Sequence, residues 1–172
     1  MMTPRLRKFA LTAHVASSVG WLGAVAGFLG LAVAGLTSQD AQTVRAVYLA
    51  TEFTGWFVLV PFAVASLLTG LVQSLGTKWG LFRHVLAKLL INVFATFVLL
   101  LYMQTLDYLA GVAAETFSSS DLDALRSPSP LLHAGLALLL LLTATALAVY
   151  KPRGMTPYGR RKQHEQLVLS QP

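Results

Sequence analysis

His14 is the only ionisable side chain in an apolar run from Phe9 to Leu36, and Trp21 follows it seven residues later. Hydrocarbon cannot solvate a titratable group, so one at membrane depth is by default a candidate functional site. Neutral imidazole ligates haem iron, copper or zinc. A second group of this kind is Lys88, within Ala87-Lys88-Leu89-Leu90, with His84 four residues before it. A buried lysine can lose its proton and then ligate or act as a base. Residues seven apart stack on one helix face, so Arg7, His14, Trp21 and Phe28 form a column. Trp21 and Phe28 would then flank a planar cofactor. The candidate pocket is therefore His14, Lys88, Trp21 and His84, with His14 as the metal ligand. The same residues also carry a plainer reading, in which His14 hydrogen-bonds a neighbouring helix, Lys88 snorkels to the surface and His84 sits at the interface.

Glu52, Asp107 and His133 form a second set, suited to an entering cation or a proton relay. All three fall near a membrane interface, where simple solvation accounts for them. Counting helix rise from Phe9 and His84, His14 and Lys88 lie roughly 6–8 Å into the apolar core. His14 and His133 come out roughly 20 Å apart along the membrane normal, so they cannot hold one ion. The four methionines show no clustered copper pattern, and the absence of cysteine excludes disulfides, thiolate metal sites and thiol catalysis. There is no nucleotide loop, no His-Glu-x-x-His and no nucleophile motif, so no catalytic residue is assigned and enzymatic activity stays open.

The elements that position these residues follow from composition. Of 172 residues, 55% are hydrophobic and 12% charged, against about 25% charged in soluble domains. The length suits a single transmembrane domain over residues 1–172. Four apolar runs predict spans over about 9–36, 52–74, 84–106 and 131–150, followed by a basic tail over 151–172. The first run is too long for a signal peptide, whose apolar region covers about 7–15 residues. At roughly 40 Å it exceeds the hydrocarbon core, so tilt or a protruding end is expected. Residues 41–50 read as a short surface helix in a polar connection over 37–51. Pro61 predicts a kink in the second span. The third is followed by a loop over 110–130, where Ser118-Ser119-Ser120-Asp121 can cap a short helix and Ser127-Pro128-Ser129-Pro130 stops anything helical.

The net charge of +6 suggests nucleic acid only until the charges are located. Arg5, Arg7, Lys8, Lys78, Arg83, Lys151, Arg153, Arg160, Arg161 and Lys162 lie in the N-terminus, second loop and tail. The other two loops hold Arg45 and Arg126 only. This places both termini in the cytoplasm by the positive-inside rule, and the tail against anionic headgroups. The fold class is an all-α, four-helix transmembrane bundle. Gly20, Gly23, Gly27 and Gly30 lie on a different face from His14, a small-residue face that lets a neighbouring backbone approach. Polar stripes through Glu52, Gly55, Phe62, Ser66, Thr69 and Gln73, and through His84, Lys88, Ala95 and Tyr102 with Asn92 at the edge, should converge on the interior.

His14 to Trp21 with Leu22-Gly23 resembles the first-helix pattern of bacterial copper-resistance D membrane proteins. It is also similar to the HemJ-type protoporphyrinogen oxidase family, helical bundles that bind haem b. That resemblance implies roles for His14 and Lys88, and Val149-Tyr150-Lys151-Pro152 looks like that family's closing Val-x-Lys-Pro. The Arg…Asn-Glu element before the last helix of that family has no counterpart in Leu125-Arg126-Ser127-Pro128-Ser129-Pro130-Leu131. The second histidine late in its Lys helix is also missing, with Tyr102 nearby instead. The resemblance thus implies haem binding rather than porphyrinogen oxidation. The four-span layout as a whole resembles integral membrane families of unknown function found in actinobacteria and other bacteria.

Two functions from different classes follow. One is a haem b- or metal-binding component for redox or metal handling, with haem b ahead of copper, in a bacterial plasma membrane. The other is a non-catalytic membrane subunit or assembly partner whose polar stripes serve helix packing. The bilayer is the expected partner in both, nucleic acid in neither, and a homo-oligomer or a membrane partner protein fits either.

Overall fold

The computed structural model describes residues 3–76, 83–115, 125–150 and 161, the side chains at 75, 76, 83 and 84 excepted. Helix α1, Pro4–Thr37, begins where Thr3 accepts a hydrogen bond from the Leu6 N–H at 3.4 Å. Pro4 occupies the first turn, where a missing N–H costs nothing. With 34 residues, α1 is about 51 Å long and takes in the exposed basic residues Arg5, Arg7 and Lys8.

Only residues 38–40 connect α1 to α2, Ala41–Thr54. Asp40 caps α2, accepting from the Thr43 hydroxyl at 2.6 Å and the Thr43 N–H at 2.9 Å. The Thr43 hydroxyl, and after it the N–H, hold the exposed Asp40 carboxyl below the ordinary aspartate value. The expected surface helix followed by a separate span is instead one helical rod from Ala41 to Ser74. Nothing between Ala41 and Thr54 breaks a helix, and Val44, Val47, Tyr48 and Thr51 recur at spacings of three and four to bury one stripe.

The irregularity expected at Pro61 appears one turn earlier, as a π-helical turn over Gly55–Leu59 ahead of α3, Val60–Gly76. Val60 N–H donates to the Gly55 carbonyl, five residues back. Proline has no N–H to return to the preceding turn, and a widened turn absorbs that mismatch. Gly55 also lets α4 approach closely, since a Cβ there would lie 2.7 Å from Met103 Cε.

Helix α4, Arg83–Glu115, runs on past Leu106 into the stretch expected to be loop. Its extension is held by a small second core in which Leu109 and Ala113 pack with Val44, Tyr48 and Leu125. The Tyr48 hydroxyl donates to the Leu125 carbonyl there. Helix α5, Ser129–Tyr150, opens with Ser129-Pro130, so this pair starts a helix where it was expected to stop one. Lys78, the Ser118–Asp121 cap and the basic tail apart from Arg161 lie outside the described residues.

Helices α1 and α4 each pack against α2, α3 and α5, which sets α1 and α4 diagonally across the bundle. The main core fills the space between them with Trp21, Val25, Phe28, Leu59, Met103 and Leu106. Among the described residues all regular secondary structure is helical, and four helical segments are long and apolar enough to cross a membrane. Phe9, Phe57, Phe94 and Leu136 stand exposed on the outside, as lipid-facing residues do in a multi-pass membrane protein. The glycine face of α1 requires a correction: among the described residues nothing outside the helix's own turns comes within 4 Å of a Cβ placed at Gly23, Gly27 or Gly30. Only Gly20 meets a neighbour there, the ring of Phe62.

Candidate functional site

His14 sits half-buried on α1, with its ring turned toward α3. Its Nδ1 lies 3.1 Å from the Ser66 carbonyl oxygen and 3.1 Å from Thr69 Oγ1. A carbonyl only accepts, so Nδ1 carries the proton and donates it. Thr69 in turn donates to the Ala65 carbonyl at 2.6 Å, which leaves its lone pairs to share the imidazole proton. The ring is thereby held in the tautomer whose Nε2 lone pair is open. Among the described residues Nε2 makes no hydrogen bond. Ring placement depends on Gly70, because a Cβ there would lie 3.1 Å from His14 Cε1 and 3.6 Å from Nδ1.

Around the ring, α1, α3 and α4 are tied by short polar side chains. Ser18 and Ser66 hydroxyls share a hydrogen bond at 2.9 Å, and Asn92 Nδ2 donates to Ser66 Oγ at 3.3 Å. Gln73 Nε2 donates to the Ala10 carbonyl at 2.9 Å. The α3 stripe and the edge of the α4 stripe thus converge as expected. One atom is left over: Asn92 Oδ1 is buried without a hydrogen-bond partner among the described residues. Lys88, one turn earlier on α4, is near enough for its charge to act on His14.

The remaining members of the expected pocket lie elsewhere. Trp21 and Phe28 turn away from His14 and line a cavity of about 380 Å³ between α1, α4 and α5. A helix drifts about 20° per heptad, and α1 packs against both α3 and α5, so one column meets two environments. His84 lies in the first turn of α4, with its side chain outside the described set. The inner residues that meet are therefore His14, Ser66, Thr69, Gly70, Asn92 and, by its charge, Lys88.

In the cavity, Tyr102 and His133 stack with ring centroids 3.9 Å apart and planes 14° apart. Tyr102 shares a hydrogen bond with Ser129 Oγ at 3.2 Å, and His133 Nδ1–H donates to the Ser129 carbonyl at 3.0 Å. Asp107 instead accepts from Trp56 Nε1 at 2.8 Å on the exposed surface. Among the described residues no three His, Cys, Asp or Glu side chains gather around one point, so Glu52, Asp107 and His133 form no joint cation site.

Ser66, Gly70 and Asn92 complete the His14 environment without having been singled out for it. Their signal was present as polar or small residues on the converging faces, but helix adjacency is needed to connect them. No protein-family model matches the chain, and no curated protein or solved structure matches it either.

Proposed function

We propose that this chain is a four-span protein of a bacterial plasma membrane that carries an imidazole-ligated metal centre, haem b first, on His14. The observation that supports this most is the open Nε2 of an imidazole whose Nδ1–H is committed to the Ser66 carbonyl. Metal-bound histidines have this backing, in which the other ring nitrogen donates to a carbonyl and thereby gains basicity. The donor set fits such a centre. It offers one neutral imidazole nitrogen, a buried amide oxygen at Asn92 with nothing to accept, and a lysine that ligates when neutral. Bound there, a haem or copper ion would supply one-electron chemistry. The protein's own part is to orient the ring through Ser66 and Thr69, to keep a side chain off it at Gly70, and to bring Lys88 near it. The Lys/Arg distribution supports cytoplasmic termini, which puts His14 in the inner half of the bilayer.

A second reading has its own observation. Ser18, Ser66, Asn92 and Gln73 all bond between helices, which is what a non-catalytic subunit needs from polar residues in lipid. Titrating haemin, and separately a copper or zinc salt, into the purified protein distinguishes the two. The first reading expects one saturable site in the wild type, lost in His14→Ala and kept in Ser17→Ala. Equal uptake by wild type and His14→Ala, or none by either, leaves the packing role.

A further inference from the structure

We infer that the cavity between α1, α4 and α5 is a binding site for a neutral, lipid-soluble molecule with a hydroxyl-bearing ring, of the alkylphenol or quinol class. It is separate from His14, which does not line it, and the inference does not depend on the metal reading. At about 380 Å³ the cavity is within the range of small-molecule sites, about 300–1,000 Å³. Its wall is almost entirely apolar, and among the described residues no Asp, Glu, Lys or Arg lines it. No fixed charge stands there to pair a charged headgroup or a fatty acid carboxylate, and the occupant is taken as neutral. Trp21, Phe28, Phe94 and Tyr102 supply aromatic walls, which favour a planar ring over a saturated chain.

The polar side chains of the lining are Trp21, Tyr102 and His133, and the hydrogen bonds of the last two define the headgroup. The Tyr102 hydroxyl is engaged with Ser129, and His133 Nδ1–H with the Ser129 carbonyl. The stack on Tyr102 holds the His133 ring in place. His133 is itself exposed, and its Nε2 is then an acceptor with no hydrogen bond among the described residues. A head that bonds to it donates, as a phenol or quinol hydroxyl does and a quinone carbonyl or an ester does not. Phe94 and Leu136, which also line the cavity, are both exposed on the outer surface, so an apolar tail leaves between α4 and α5 into lipid.

The test uses the full chain in detergent micelles with Trp56→Phe and Trp79→Phe, so that fluorescence reports on Trp21. The probes are a ring-brominated nonylphenol and the matching brominated nonylbenzene and nonylbenzoic acid, whose bromine quenches indole at contact. The phenol should quench at roughly 3–10-fold lower concentration than the nonylbenzene, the effect of one hydrogen bond. His133→Phe should abolish that preference while both probes still quench, and His133→Gln, which retains an acceptor, should keep part of it. Ala137→Phe, or the milder Ala137→Leu, should weaken both probes by filling the cavity. Equal quenching by phenol and nonylbenzene, preference for the acid, or quenching indifferent to both Ala137 variants would overturn the proposal.

Discussion

His14 and Ser66, 52 positions apart, meet where α1 crosses α3, with the imidazole Nδ1 3.1 Å from the Ser66 carbonyl oxygen. The contact converts a histidine in an apolar helix into an oriented one. It uses a backbone acceptor that no side-chain substitution at 66 removes. The Ser66 side chain serves a different purpose, joining Ser18 to Asn92.

Those two roles separate by mutation. Ser66→Ala should leave His14 oriented but cut both side-chain links and strand the Asn92 amide. The expected loss is about 1 kcal/mol, in line with interhelical hydrogen bonds in membrane proteins. Reversible unfolding in mixed micelles would measure it. A loss above about 3 kcal/mol would mean that the serine does more than tie α1 to α4.

Gly70→Ala addresses the ring directly. The new methyl would lie 3.1 Å from His14 Cε1, tighter than ordinary contact, so the imidazole must shift by a few tenths of an ångström. Uptake of haem or metal should weaken by roughly tenfold, the effect of about 1.4 kcal/mol of misplacement, while helicity is unchanged. Unaltered uptake would show that ligand and ring do not share this geometry.

Much of this bundle was legible in the sequence. The four apolar runs and the inward polar faces could be read from spacing, because both follow from helix periodicity and the cost of polar groups in lipid. Element ends were harder. Residues 41–51 looked like a connection because Gln42, Thr43 and Arg45 are polar, yet the buried stripe from Val44 to Thr51 carries them into one long helix. Likewise α4 continues to Glu115 because Leu109 and Ala113 find Tyr48 and Leu125, partners distant in sequence. The pocket divided for the same reason: heptad spacing put Trp21 under His14, but which neighbouring helix each residue meets depends on crossing geometry. The Tyr102–His133 stack was not read from the sequence, since which faces of the two helices meet depends on how α4 and α5 pack.

The second core makes its own prediction. Tyr48→Phe removes one of the two donors to the Leu125 carbonyl, which keeps the Ser127 N–H at 2.7 Å. A stability loss of about 0.5–1.5 kcal/mol is expected, with the end of α4 becoming accessible to protease. Unchanged proteolysis between residues 106 and 115 would show that the extension stands without this bond.

Asp40 gives a pH dependence. Its folded-state carboxyl is held below the ordinary value by the Thr43 hydroxyl and N–H. An Asp with a depressed folded pKa stabilises the fold above its unfolded value of about 4 and loses that contribution as pH falls through the folded value. Melting temperature should therefore fall below about pH 4 in the wild type and fall less steeply in Asp40→Asn. Parallel curves would rule out the cap as the origin.

Orientation can be checked because the chain contains no cysteine. A single cysteine at Gln39 should react with a membrane-impermeant maleimide from outside intact cells, and one at Lys8 only after permeabilisation. The reverse pattern would invert the assignment of both termini and place His14 in the outer half.

The most direct measurement is the visible absorption spectrum, oxidised and dithionite-reduced, of protein purified from its membrane without added cofactor, with elemental analysis of the same sample. The account predicts a Soret band, or stoichiometric copper or zinc, in the wild type and its loss in His14→Ala at equal yield and helicity. A colourless, metal-free wild type, or a spectrum unchanged in His14→Ala, would contradict it.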